Sequence, residues 1–271
     1  MPIFLKSLVI VPLLLSYGVL SCAISLVPAG ARTRRKLRTG STPFFARWAL
    51  ILFGVRVHLK HHERLRRHAG GRLIVANHVS YADVLVIASL APSVFITSVE
   101  LKHTPLLGAL ARFGGCLFVE RRKASGLKRE IEDISKVLGQ GFNVILFPEG
   151  TTSNGERVQP FKNSLFDAAV AARADVLPLC LRYTGINSKP VTNRNKDSIF
   201  YYGGVSFRKH FPRFLSLSSI DVHVLPLRAL KVHGHASRKE LAGEAHQAIS
   251  AAYSSQTFDE SDGVAGEEPW S

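Results

Sequence analysis

The sequence predicts an α/β domain with a largely buried, mostly parallel or mixed sheet flanked by helices, preceded by an N-terminal membrane anchor helix. Three observations carry that reading. From Arg72 onward, short apolar runs alternate with helical periods, the pattern of strands separated by crossover helices. Residues Ser7 to Ala31 contain no charged side chain. At 46% hydrophobic and 20% charged, the 271 residues can bury one sizeable core, which excludes wholesale disorder.

Leu8 to Val27 is the first helix, an apolar run that at ~1.5 Å per residue spans about 30 Å, the thickness of a hydrocarbon core. Pro12 lies near one end, where a kink exposes little backbone. A cleaved signal peptide is the alternative, with Ala29-Gly30-Ala31 as a small-residue site and Val19-Leu20-Ser21-Cys22 as an imperfect lipoprotein box. The run exceeds the ~7–15 residues of a signal core, so a retained single-pass anchor is expected. Only Lys6 and the terminal amine precede it, whereas Arg32, Arg34, Arg35, Lys36 and Arg38 follow, which places the body in the cytoplasm.

Pro43 to Leu59 is apolar but short, and Arg47 and Arg56 interrupt it. It is expected as a helix lying in the interface or packing on the anchor, which closes a membrane unit over 1–59. His58 to His68 brings Lys60, Arg64, Arg66, Arg67 and four histidines, either a solvated face or a contact for anionic headgroups.

The body is expected over 60–255. Leu73–Ala76 is a buried strand, followed by a helix through Val84–Leu90 and a strand at Val94–Thr97. A short helix over Pro105–Phe113 leads to a strand at Leu117–Val119. Leu127, Ile131, Ile134, Val137 and Leu138 form one helical stripe, and Gly139 and Gly141 end it. Asn143–Phe147 is a strand, Leu165–Ala172 a helix and Val176–Leu181 a strand, with one or two more strands within 184–225. Ser237 and Glu240 form a capping box that opens a final helix to about Tyr253. Residues 256–271 are an acidic tail, expected to be disordered.

That tail holds five carboxylates and no Lys or Arg, so residues 1–255 carry 35 cations against 15 anions. So basic a body asks for an anionic partner such as a membrane surface, a nucleic acid or a polyanionic substrate. Cys22, Cys116 and Cys180 are too few and too scattered for a disulfide framework or a zinc site.

Three blocks could carry chemistry. Asn77-His78-Val79-Ser80-Tyr81-Ala82-Asp83 follows a strand and sets a histidine five residues before a carboxylate across a turn. A histidine can accept a hydroxyl proton near neutral pH, and a carboxylate can fix its tautomer. A turn histidine with Asp83 capping the helix is the bland alternative. Phe147-Pro148-Glu149-Gly150-Thr151-Thr152-Ser153-Asn154-Gly155 also follows a strand and has the composition of an anion-cradling loop, or of an ordinary connection. It contains no Walker-type lysine, so nucleotide binding has no support. Gly114 to Lys123 ends a strand in Glu120, Arg121, Arg122 and Lys123. That cluster matters only if the other two loops reach the same sheet edge.

In this order and at these separations the blocks resemble the glycerolipid acyltransferase family, membrane enzymes that acylate glycerol phosphate and lysophospholipids. The first motif, a His-x4-Asp, matches as Asn77, His78, Ser80 and Asp83; the second as Gly115, Phe118, Val119 and Arg121. The third matches as Phe147, Pro148, Glu149, Gly150 and Thr151, and the fourth as Val176, Leu177 and Pro178. Glu100, Leu101, Pro105 and Gly108 fall on a further family stretch. Two positions depart: Thr152 stands where many members carry arginine, and Ser164 replaces the usual glycine. The Thr-Thr-Ser-Asn-Gly form with Phe-Lys-x-Ser also looks like bacterial members that acylate lyso-ornithine lipid.

The resemblance implies transfer of an acyl chain from acyl-CoA or acyl carrier protein to the hydroxyl of 1-acylglycerol-3-phosphate, forming phosphatidic acid. Acylation of lyso-ornithine lipid is the alternative. It implies His78 as base, Asp83 as its orienter, and Arg121 with Glu149, Gly150, Thr151, Thr152 and Lys162 around the acceptor phosphate. It implies no cofactor, no metal and no nucleic-acid partner, at a bacterial inner membrane. Outside the family, a serine esterase would need a Gly-x-Ser-x-Gly elbow, which is absent. A membrane-tethered anion-binding protein rests on charge alone.

Overall fold

The computed structural model describes residues 3–65, 70–104, 106–120, 126–232 and 237–255. Arg66, Arg67, His68, Pro105, the Arg121–Lys123 cluster and the acidic tail lie outside the described residues.

Helices α1 (Ile3–Leu26) and α2 (Ala31–Phe53) lead into strand β1 (Val55–Leu59). Then follow β2 (Leu73–Ala76), α3 (Ala82–Leu90), β3 (Ser93–Ser98), α4 (Val99–Lys102), α5 (Leu107–Phe113), β4 (Leu117–Val119), α6 (Leu127–Gly139) and β5 (Asn143–Leu146). The chain closes with α7 (Asp167–Ala172), β6 (Val176–Ile186), β7 (Lys189–Pro190), α8 (Phe207–Ser216), β8 (Ile220–Pro226) and α9 (Arg238–Ser254). The strands form one sheet in the order β1-β8-β6-β2-β5-β3-β4, with β7 paired to β6. β6, β2, β5, β3 and β4 run parallel, β8 is antiparallel to β6, and β1 is parallel to β8.

Alternation along each strand divides the core in two. Ile74 and Ala76 of β2 join Leu177, Leu179 and Leu181 of β6 beneath α2, α3 and α8. Leu73 and Val75 face the other way, onto Ile134 and Leu138 of α6 and onto Ala245 and Ile249 of α9. A sheet buried on both faces needs apolar side chains at both parities, which is why β2 reads as an unbroken apolar run.

One expectation needs correcting. The helix predicted to run to Leu59 ends at Phe53, and Val55–Leu59 is an edge strand paired with β8, so the domain begins before residue 60. Val55, Val57 and Leu59 alternate with Arg56 and His58, a period of two inside a stretch read as helix. Helix α1, long and apolar enough over Phe4–Leu26 to cross a membrane, also packs on the body. Lys6, only 2% exposed, donates from Nζ to the carbonyls of Leu215 (3.0 Å) and Leu217 (2.6 Å), at the end of α8. Near its other end, Ser21 Oγ donates to the Phe113 carbonyl of α5 (3.1 Å). The last carbonyls of a helix lack partners of their own, and an ammonium satisfies them. Both ends of α1 are therefore fastened to the domain. Between them Tyr17 meets Thr42 (3.2 Å) and the Phe45 ring (4.9 Å), pairing α1 with α2 as a hairpin.

Candidate active site

The parallel strands bring their C-terminal ends to one edge, where β2 delivers His78, β5 delivers Phe147 to Gly155, and β4 ends at Val119. Past Ala76 the backbone leaves the ladder, and the Asn77 side chain continues it. Its amide donates to the Leu181 carbonyl (2.9 Å) and accepts from the Leu181 N–H (2.8 Å). Ser80 Oγ donates to the Ile199 carbonyl (2.8 Å), which fixes the turn from its other side.

Within that turn, His78 Nδ1 lies 2.8 Å from Asp83 Oδ2. Asp83 is fully buried, and the same oxygen accepts from the N–H groups of Val79 (2.8 Å) and Ser80 (2.9 Å). Its other oxygen, Oδ1, accepts from the Tyr183 hydroxyl at 2.6 Å. A carboxylate so placed accepts from Nδ1–H and leaves Nε2 as the ring's proton acceptor. The imidazole stacks on the Phe147 ring, with centroids 4.0 Å apart, and its side chain remains 17% exposed.

Glu149 does not reach outward as a ligand. Its side chain turns inward, where Oε1 accepts from the His78 N–H (2.7 Å) and Oε2 from the Gln159 N–H (3.0 Å). Burial pushes this carboxyl up to about 7, against the pull of those two amides. Glu149 thus ties the β5 loop to the histidine's own backbone, and the Ser153 N–H, donating to the His78 carbonyl (2.9 Å), adds a second tie.

Around Gly150 the loop opens. Gly150 has a φ of 79°, and the exposed Lys162 lays its side chain against it, with Nζ 2.8 Å from where a Cβ would stand. Thr151 is exposed and Thr152 half-buried. At Gly155, φ is 71° and a Cβ would overlap the Phe200 ring, so only glycine closes this turn. His78, Asp83, Glu149, Gly150, Thr151, Thr152 and Lys162 therefore share one region, while Arg121 lies outside the described residues. The sequence reading missed Tyr183. On β6 it continues the apolar stripe of Leu177, Leu179 and Leu181, so its alternation signals core rather than site.

The family model described as Acyltransferase matches residues 56–182. The lyso-ornithine lipid O-acyltransferase of Rhizobium meliloti (strain 1021) is 36% identical over 203 residues, which cover 72% of this chain and 68% of that protein. The chain belongs to the glycerolipid acyltransferase family. This acyltransferase is also 40% identical over 120 residues to the 1-acyl-sn-glycerol-3-phosphate acyltransferase of Neisseria gonorrhoeae, covering 43% of this chain and 46% of that one. Its fold matches the crystal structure of the 1-acyl-sn-glycerophosphate acyltransferase of Thermotoga maritima with a TM-score of 0.70. That match covers 96% of both chains at 19% identity. The protein is an acyltransferase of lipid biosynthesis associated with membranes, and its N-terminal helix is long and apolar enough to cross one.

Proposed function

We propose that this acyltransferase transfers an acyl chain from a thioester, on acyl carrier protein or coenzyme A, to the hydroxyl of lyso-ornithine lipid. The observation that carries the choice of acceptor is the extent of likeness. The lyso-ornithine lipid enzyme of Rhizobium meliloti aligns over 72% of this chain, whereas the Neisseria lysophosphatidate enzyme aligns over 43%. Thr152 supports it. Ornithine offers a carboxylate where lysophosphatidate offers a more highly charged phosphate, and a neutral hydroxyl in place of arginine suits the smaller charge. Acylation of 1-acylglycerol-3-phosphate is the second reading, favoured by the high identity of the Neisseria match. Purified enzyme offered both acceptors with one acyl thioester decides between them; faster turnover of lysophosphatidate overturns the first reading.

In the mechanism we favour, His78 Nε2 takes the acceptor's hydroxyl proton as its oxygen attacks the thioester carbonyl. The tetrahedral intermediate collapses by breaking the C–S bond, and the imidazolium returns its proton to the departing thiolate. Asp83 holds the tautomer and stabilises the imidazolium, the division of labour of a hydrolase triad with the substrate hydroxyl in place of serine. Glu149 keeps the two loops in register, and Lys162 with the Gly150 loop faces the acceptor headgroup.

The membrane contact we propose is in-plane. Phe4, Leu8, Val11, Leu15 and Val19 form one exposed stripe of α1, and Leu37, Phe44, Trp48 and Ile51 one of α2. With Lys6 bound to α8, the hairpin lies on the domain and dips its apolar face into one leaflet. A protease-protection assay that finds the N-terminus across the membrane from the body contradicts this.

A further inference from the structure

Tyr183 is buried, 4% exposed, and lies a hundred residues from the motif it touches. Its hydroxyl gives Asp83 Oδ1 its hydrogen bond, while the two backbone amides and the imidazole share Oδ2. The phenol is placed by two local features. Asn77 locks β6 to the motif loop at Leu181, two residues earlier on the same face. Immediately after it, the β6–β8 register shifts between Tyr183 and Gly185, a bulge of the sort that re-aims a side chain beside a site. Phe200, whose ring centroid is 6.0 Å away, packs edge-on to the phenol and also closes the Gly155 turn. Burial and the neighbouring carboxylate keep the phenol protonated well above the usual tyrosine range, so it remains a donor at any working pH.

We propose that Tyr183 is a positioning residue for acyl transfer, acting on His78 through Asp83. Its hydrogen bond fixes the carboxylate's rotation, so that Oδ2 faces the imidazole, and withdraws charge from the carboxylate, so that the imidazolium is stabilised only moderately. Without it, the carboxylate keeps more of its charge for the imidazole and has one rotational restraint fewer. The histidine is then harder to deprotonate and less well aimed. This rests on the reading of His78 and Asp83 as base and orienter.

The test uses the full-length enzyme in vesicles, with Tyr183→Phe, Asp83→Asn and the double variant. Loss of one hydrogen bond to a charged group lowers kcat about tenfold, with both Michaelis constants within about twofold. The acid limb of kcat/KM moves to higher pH by roughly half a unit. In the Asp83→Asn background, Tyr183→Phe costs nothing further, because the group it acts through is gone. A 3-fluorotyrosine introduced at position 183, a stronger donor of nearly the same shape, moves the acid limb to lower pH and decides the matter even where Tyr183→Phe folds poorly. An unmoved acid limb in both substitutions, or equal losses with and without Asp83, overturns the proposal and leaves Tyr183 a packing residue. If Asp83→Asn alone is fully active, the base-and-orienter reading has failed instead, which is a different result.

Discussion

The loop after β2 and the α1–α2 hairpin treat polarity in opposite ways. In the loop and the β5 loop tied to it, polar groups are buried and every one named above has a partner: Asn77 with Leu181, Ser80 with Ile199, Glu149 with two amides, and Asp83 with four donors. In the hairpin, Ile10, Leu50 and Phe53 pack inward beside Lys6 and Ser21, while a second set of apolar side chains faces outward. A soluble amphipathic helix keeps that outer face polar. Burying polar groups is costly unless each is satisfied, so the loop has one arrangement and suits a reaction that needs fixed geometry. Exposing an apolar stripe is costly in water and favourable in lipid, so the hairpin suits adsorption. The difference teaches that chemistry and membrane binding should be separable by substitution.

The larger of the effects that separate the two regions tests the first half of that contrast. Asp83→Asn preserves shape but offers Nδ1–H a poorer partner and leaves its donors mismatched. Turnover should fall about 10²–10³-fold, while vesicle sedimentation stays unchanged. A variant that keeps its rate but loses its membrane would reverse the assignment.

Next comes the hairpin. Leu8→Ser, Trp48→Ser and Ile51→Ser together remove three exposed apolar side chains and none of the domain contacts described above. Each fully buried side chain of this size contributes about 1.5–3 kcal/mol, so vesicle binding should weaken more than tenfold even with partial insertion. Turnover of detergent-dispersed substrate should stay within about twofold. Loss of both together would mean that the hairpin shapes the site.

A smaller effect tests whether the loop's buried carboxyl is as costly as its burial suggests. Glu149 titrates at about 7 when folded against an ordinary 4.5. The folded protein therefore holds this proton more tightly, and the contribution is fully present below about pH 4.5 and lost as pH rises through 7. Its span is on the order of 3 kcal/mol at most. Glu149→Gln should flatten the decline of melting temperature across that window while lowering stability at acid pH, where one backbone donor loses its acceptor. An unchanged pH slope would show that the two amides, rather than burial, govern Glu149.

Lys162→Ala should do least, since the side chain is exposed and its charge screened: a rise of about three- to tenfold in the acceptor's Michaelis constant, and little for the thioester. A change confined to the thioester would move the acceptor headgroup elsewhere.

Much of the site was legible in the sequence because its parts are local. His78 and Asp83 lie within one turn, and the loop that holds Gly150 follows its strand directly, so spacing and neighbouring strands sufficed. The inward turn of Glu149 was half-legible: a carboxylate in an anion-cradling loop is out of place as a ligand, yet its actual partners, the amides of His78 and Gln159, depend on how two loops meet. Tyr183 was not legible, because a tyrosine in an apolar stripe reports burial and says nothing about where its hydroxyl ends. In the fold, the apolar periods located the central strands. β1 was hidden because its alternation is five residues long and abuts a helix of similar hydrophobicity. The fastening of α1 was hidden for a different reason. Lys6 looks like a flanking charge, and only the packing shows it bound to the end of α8.

The central claim is that His78 accepts the acceptor's proton. Single-turnover acyl transfer by purified, vesicle-bound His78→Ala tests it most directly, measured with and without added imidazole. Expected are a loss on the order of 10³-fold or more, partial recovery with imidazole that strengthens as pH rises through imidazole's own pKa, and unchanged membrane binding. Near-normal turnover in His78→Ala without imidazole would contradict it.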